Sequence, residues 1–306
     1  MIDFSKKPLF LAPLAGFSDI PLRSVVRRFG ADVTVSEMIS ANALVYEGKK
    51  SLALAQKAKD ENPYIVQIAG SDTENIKKAV LILNELDGID GIDLNCGCPV
   101  PKVVKQCSGS ALLKDLSQLS RIVKTIKSVS NKKLTSVKMR LGFDEKIPDK
   151  IAIACEEAGA DYITIHGRTR AGGYSAQVDY EAIARAKQAV KIPVVANGDI
   201  DDKNAKEVLD FTGCDGLMIG RASIGRPWIF SEIKGGKSVS DELRREIVLA
   251  HFDAMLERYG SFGVGIFRKH LHQYSKGMAE ASAFRDEINR IDDAAIFRTK
   301  IEEFFA

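Results

Sequence analysis

Over the first 220 residues, short apolar runs alternate with longer amphipathic stretches, at the spacing of βα units. Eight runs read as strands: Leu9–Leu14, Val33–Ser36, Tyr64–Ile68, Gly91–Asn95, Thr135–Arg140, Tyr162–His166, Val194–Asn197 and Gly216–Ile219. Between them lie helical patterns such as Asn75–Leu86, with Ile76, Val80 and Leu83 on successive turns. Another, Leu116–Val129, is opened by Asp115 as N-cap. A helix after every strand implies parallel pairing, and eight such units close into a (β/α)8 barrel. A doubly wound sheet would more often show about six units and a glycine-rich first turn, and no GxGxxG follows the first strand. The alternation stops at Ile233–Ser240, where Lys-Gly-Gly-Lys-Ser punctuates the chain. Beyond it the pattern predicts three helices, Asp241–Tyr259, Ile266–Met278 and Phe284–Phe305. The expected architecture is thus an α/β TIM barrel over residues 1–236 and a smaller all-helical domain over 237–306.

Composition bounds this picture without naming an activity. The 306 residues are 45% hydrophobic and 28% charged, which excludes disorder and a disulfide miniprotein. No stretch approaches the roughly 18 apolar residues of a membrane span, and Met1–Lys7 lacks the apolar core of a signal peptide. A cytoplasmic, membrane-free protein is therefore expected; that it is a monomer is a separate expectation, which composition does not set. Five cysteines are too few, and odd in number, for a disulfide framework, so reduced thiols are expected. A net charge of +3 is too mild to name a partner.

In a barrel of this kind the site lies at the carboxyl ends of the strands, so polar residues just past each apolar run carry the information. The first run ends in Pro13-Leu14-Ala15-Gly16, the third carries Gln67, and the fourth ends Asn95-Cys96-Gly97-Cys98-Pro99. The later runs end in Lys138-Met139-Arg140, His166-Gly167-Arg168, Asn197-Gly198-Asp199 and Gly220-Arg221. Turn formation explains some of the glycines. It does not explain Gln67, Lys138 and His166 inside apolar runs, because a buried polar side chain costs free energy unless partnered. Convergent polar groups of this kind predict a binding pocket, although His166 alone reads equally well as a satisfied core histidine. Asn197–Asp199 and Gly220-Arg221 sit where many barrels hold a phosphate, which implies a phosphorylated cofactor; flavin mononucleotide (FMN) satisfies the whole set. Cys98, in a Gly-Cys-Pro turn at the barrel mouth, is the sharpest single candidate for chemistry, since a thiol can give or take a proton. A zinc site at Cys96, Cys98 and Cys107 is the rival reading, but the C-x-C spacing is too short and no histidine follows closely, so no metal is expected. Cys107, Cys155 and Cys214 read as structural or incidental.

Taken in order, these residues resemble the tRNA-dihydrouridine synthases, flavoenzymes that reduce specific uridines in tRNA. The resemblance spans essentially the whole chain. It rests on Ala12–Gly16 with Asp19, Gln67–Gly70, Asp93–Pro99 followed by Lys102-Val103, and Gly109–Leu113. It continues through Val137–Arg140, Ile165–Arg170, Asn197–Ile200 and Ile219–Arg221. Leu14 stands where the family usually has methionine, a volume-conserving swap, and Cys96 occupies a variable position. The tail, with Arg268-Lys269-His270 and Phe284-Arg285, is most similar to the bacterial B-type branch. The resemblance implies FMN as cofactor, NADPH as reductant and Cys98 as the catalytic proton donor to C5 of uridine, after hydride delivery from flavin N5 to C6. It implies that Pro13, Leu14 and Ala15 lie along the flavin ring, that Gln67 and Lys138 contact the ring system, and that His166, Asn197, Gly198, Asp199, Gly220 and Arg221 hold phosphate and ribitol. Asn95, Arg140, Tyr174 and Arg168 are the residues it implies at the target uracil.

A uracil must leave its stack to reach a barrel mouth, so most of the tRNA has to dock elsewhere. The helical tail is the natural surface, yet residues 239–306 hold 10 Lys plus Arg against 12 Asp plus Glu. Docking charge must therefore be local, and Arg268, Lys269, His270, His272 and Lys276 are expected to cluster on one helix, unless they form only a solvated face. Three rival functions remain at this point: an FMN barrel enzyme acting on a free pyrimidine such as dihydroorotate, a non-enzymatic tRNA-binding module, and a phosphate-binding aldolase or isomerase.

Overall fold

The computed structural model describes residues 2–46 and 48–306. Its strands are β1 (Leu9–Leu11), β2 (Val33–Val35), β3 (Ile39–Ser40), β4 (Tyr64–Ala69), β5 (Gly91–Cys96), β6 (Leu134–Arg140), β7 (Tyr162–His166), β8 (Val194–Asn197) and β9 (Gly216–Ile219). All pair in parallel, β1 meets both β2 and β9, and β2 also meets β4, so the sheet closes into the expected TIM barrel. The additional strand is β3, which continues the second barrel position after β2. Both β2 and β3 run along β4, and between them the ladder opens: the Gln67 amide donates to Ser36 Oγ, 2.9 Å, instead of to a backbone carbonyl. The break lets Met38 turn into the cleft and Glu37 accept from the Gly16 amide.

Strand period explains the polar residues within the apolar runs. Val66, Ile68, Leu94, Val137 and Ile163 belong to the main core between barrel and helices, whereas Phe10, Val33, Ile65, Tyr162, Val195 and Met218 form a separate cluster inside the barrel. The alternate positions of the same strands are Gln67, Asp93, Lys138, Thr164, His166 and Asn197. The barrel interior is therefore apolar at the amino ends of its strands and polar at their carboxyl ends, where Gln67, Lys138, His166 and Asn197 line the cleft.

The expected first strand, Leu9–Leu14, stops at Leu11. Ala12 still donates to Ile219 O, 2.9 Å, but Pro13 has no N–H with which to continue the ladder. The helix expected at Asn75–Leu86 runs Thr73–Asn84, because Asp72 caps it by accepting from the Asn75 amide at 2.7 Å. Leu116–Val129 forms as expected, capped by Asp115.

The helical tail has four helices rather than three: Asp241–Tyr259, Phe262–Tyr274, Ala281–Ile288 and Ala294–Phe304. The stretch expected as one helix, Phe284–Phe305, divides because Asp293 caps a new start, its Oδ1 accepting from Ala295 and Ile296 amides at 2.9 Å. The tail has its own apolar core around Phe252, Phe267 and Phe297, and Val25 and Trp228 of the barrel side enter it. Across the joint the Tyr259 hydroxyl donates to Asp19 Oδ2 at 3.1 Å, and Arg258 donates to Ala53 O at 3.0 Å. Among the described residues no helix is long and apolar enough to cross a membrane.

Candidate active site

Two lobes of one cleft open at the carboxyl ends of the strands. One, about 450 Å³, is bordered by Asn197, Gly198, Asp199, Gly220 and Arg221, and by Lys276 from the helical tail. The other, about 330 Å³, is bordered by Ala15, Gln67, Asn95, Cys98 and Arg140. Pro13, Leu14, Lys138, His166, Tyr174 and Arg221 face both. The cofactor-side residues expected from the sequence thus converge on a single concavity.

Within it, hydrogen bonds fix each polar group. Gln67 Nε2 donates to Asp93 Oδ2 at 2.7 Å while its Oε1 accepts from Asn95 Nδ2 at 2.7 Å, so the amide cannot flip. Ser136 donates to the other oxygen of Asp93 at 2.6 Å. Burial raises the Asp93 carboxyl to about 6 against these bonds. Asn95 Oδ1 in turn accepts from the Gly97 and Cys98 amides, 3.1 and 2.9 Å, shaping the turn that presents Cys98. Ser110 clamps that turn from outside, its amide and hydroxyl both donating to Cys98 O at 3.1 and 2.9 Å. Cys98 is half-buried at the cleft wall, whereas Cys96 is sealed in the core and its thiol is pushed well above its ordinary range by burial.

Lys138 donates to Asn197 Oδ1 at 3.0 Å, and Asn197 is fixed by its own bond to Met218 O at 2.8 Å. Burial lowers the Lys138 ammonium to about 8, with Asp93 pulling the other way. His166 is lowered to about 2, by burial first and then by Lys138, Arg140 and Arg168, so it is neutral at pH 7. Its Nε2 lies 3.3 Å from Arg168 Nη1; since guanidinium only donates, Nε2 accepts and the ring proton sits on Nδ1. Tyr174 is exposed, with the guanidinium of Arg140 at 5.2 Å and that of Arg221 at 5.3 Å from its ring centre.

Several expectations need correction. Arg168, expected at the substrate, is buried and borders neither lobe: it donates to Ala176 O and pairs with Asp199. Asp199 also pairs with Arg221, so its carboxylate positions that arginine at the border of the first lobe. The tail cluster is not one basic face. His270 is buried, Arg268 is taken by Asp292 and Ile291 O, and His272 lies 3.1 Å from Asn289 Oδ1. Lys276 lies beyond the end of the helix, and Lys269 faces the ring of Phe17 at the barrel rim, 5.2 Å from its centre.

The family model for "Dihydrouridine synthase (Dus)" matches residues 10–305. The chain belongs to the dihydrouridine synthase family. It is 50% identical to a probable tRNA-dihydrouridine synthase of Helicobacter pylori (strain ATCC 700392 / 26695), over 99% of this chain and 94% of that one. It is 41% identical to tRNA-dihydrouridine synthase B of Pseudomonas syringae pv. tomato, over 97% of this chain and 91% of that one. Among solved structures, morphinone reductase superposes with a TM-score of 0.54 at 14% identity, covering 76% of this chain and 87% of that one, a likeness of fold.

In this dihydrouridine synthase sequence reading gave no role to Asp93 and Ser110, which lie inside its motifs, nor to Phe17, Met38 and Ile224, which lie outside them. Asp93 was legible in part: an acid alternating with apolar residues on a barrel strand faces inward. Met38 and Ile224 carried no signal, because an apolar residue on a loop reads the same whether it faces a cleft or a core.

Proposed function

We propose that the protein is a tRNA-dihydrouridine synthase that reduces the C5–C6 double bond of specific uridines in tRNA, with FMN as cofactor and NADPH as reductant. In this reading residues 1–236 hold flavin and chemistry, residues 237–306 dock the tRNA, and the enzyme works as a cytoplasmic monomer, each cleft being completed by Lys276 of its own chain. The observation that carries it is the placement of Cys98, held by Asn95 and Ser110 on the lobe opposite the phosphate-type lobe.

The residues present fit the flavin. A Cβ at Gly220 would meet only Ala12 and Leu14, at 3.8 and 4.0 Å, so it would fill open cleft and not collide with a wall. Arg221, Lys276 and the amino-end backbone of the turn at Arg221–Ser223 suit a phosphate. Lys138 and Gln67 would meet the ring system, and Pro13, Leu14 and Ala15 would lie along it. When bound, FMN would supply a hydride, taken from NADPH, to C6 of the uracil. Cys98 gives the proton to C5. Asn95 holds the cysteine turn and offers its amide edge to the base, Arg140 braces the loop carrying Tyr174 through Thr169 O and Gly173 O at 2.9 Å, and Tyr174 offers a stacking face to an extruded base.

The test is direct: purified protein should be yellow with FMN and should form dihydrouridine, counted by mass spectrometry, in tRNA from cells lacking this protein. A colourless protein, one holding FAD, or one reducing a free pyrimidine in place of tRNA would overturn the reading.

A further inference from the structure

Behind the cleft, where the helical tail meets the barrel, Asp19, His251 and His270 converge, each offering a ligand atom, with these atoms all within 4.8 Å of one another. Asp19 caps the barrel helix Ile20–Arg28, His251 stands on Asp241–Tyr259, and His270 on Phe262–Tyr274. All three are buried, and the two imidazole rings lie 4.7 Å apart, inclined by 70°. Phe17, Phe267 and Tyr274 wall them in.

Buried polar atoms are normally paired. Here Nε2 of His251 and both ring nitrogens of His270 have no partner. Nδ1 of His251 lies 3.0 Å from the Tyr274 hydroxyl, which fixes the ring; in the tautomer that donates from Nδ1, the unpartnered Nε2 keeps its lone pair for a ligand. Asp19 accepts from the Leu22 amide at 3.2 Å and from Tyr259 at 3.1 Å, and each carboxylate oxygen keeps a second lone pair. Burial keeps both imidazoles neutral, the form that binds a metal.

We propose that Asp19, His251 and His270 bind a divalent transition-metal ion of the zinc class, which staples the helical domain to the barrel. Two imidazoles and a carboxylate suit zinc, whereas magnesium and calcium take oxygen ligands. Metal–nitrogen bonds of about 2.0 to 2.1 Å place tetrahedral ligands about 3.3 Å apart, so the side chains close on the ion by at most roughly 1.5 Å. One ligand comes from the barrel and two from the tail. Because Phe17 packs edge-on against His270 and also walls the cleft, the ion would set the loop that carries Pro13, Leu14 and Ala15.

Untagged full-length protein, stripped with a chelator and reloaded with zinc, tests this. The expected result is one zinc per chain by elemental analysis, X-ray absorption showing two imidazole ligands, and a rise in Tm that the chelator reverses. Asp19→Asn, His251→Gln and His270→Gln should each weaken zinc binding by about tenfold or more while the protein keeps its flavin. Well under one equivalent of zinc in the wild type, or zinc retained by the His251→Gln/His270→Gln double variant, overturns the proposal and leaves a hydrated polar joint. Should the variants not fold, the wild-type absorption spectrum decides alone, and a spectrum without imidazole scattering overturns it.

Discussion

The cleft and the joint behind it are both built from buried polar residues, but they treat those residues in opposite ways. In the cleft Gln67, Asp93 and Asn95 satisfy one another in one chain of hydrogen bonds, and Lys138, Asn197 and Met218 O form a second, so the geometry is set before any ligand arrives. At the joint His251 and His270 are as deeply buried and leave three nitrogens unpaired. The difference teaches that burial of a polar residue is no guide to its role; what distinguishes a preorganised site from an unfinished one is which partners the chain itself supplies.

The largest effect that sharpens this contrast is expected at Cys98. Cys98→Ala should slow reoxidation of the enzyme by tRNA by about 100- to 10,000-fold, the range typical of a lost general acid, while bleaching by NADPH proceeds as before. Cys96→Ala, in the sealed core, should be nearly silent. Stopped-flow measurement of the two half-reactions checks both, and an essential Cys96 beside a dispensable Cys98 would break the assignment. Next in size, Lys138→Ala combined with His166→Ala should release the flavin, read as absorbance lost on gel filtration, since the pair forms the boundary between the lobes.

Acid titration separates the two regions more finely. In the cleft, His166 must stay neutral below pH 6.5 and would take up a proton on unfolding, whereas Asp93, raised to about 6, would release one, so between about pH 4 and 6 the two cancel. At the joint two histidines, lowered by burial, face one raised carboxyl, Asp19, with Glu37 and Lys269 acting on it in opposite senses. Stability of the histidine kind is present above pH 6.5 and lost as pH falls; that of Asp19 runs the other way. With two histidines against one carboxyl, the chelator-treated protein should lose stability as pH falls below 6.5, and His270→Gln should flatten that loss. Denaturant unfolding at several pH values measures it, and an unchanged slope in the variant would locate the acid sensitivity elsewhere.

The smallest effect concerns the tail. Lys276→Gln should lower the log-log salt slope of tRNA binding by about 0.7 to 0.9 and also weaken flavin binding, because Lys276 borders the phosphate-type lobe. Arg268→Gln should leave the salt slope unchanged, its charge already being paired with Asp292.

The barrel and most of its cleft were legible because strand period and strand end are local properties: Lys138 and His166 stand out against apolar neighbours, and the chain ends each run where it must turn. What the tail does was not legible in the same way. Arg268, Lys269 and His270 are adjacent in sequence, yet on a helix consecutive residues point about 100° apart, so one is paired to a neighbouring acid, one lies at the barrel rim and one is buried. The division of the last helix was missed because the run of helix formers masks Asp293, which acts as a start signal only in its own backbone context. Arg168 was misplaced because a strand-end position tells where a side chain begins and not which carboxylate captures it.

The hydrogen bond from Tyr259 to Asp19 joins residues 240 positions apart. During synthesis at about 5 to 20 residues per second, the ribosome takes roughly 12 to 48 s to make the partner that Asp19 awaits. Val25 stands uncovered from early in that interval and Trp228 from near its end, until the tail's core forms over them. Closure of the joint thus waits for the tail, and a product truncated before Tyr259 is left with a sticky apolar face that chaperones and proteases can recognise.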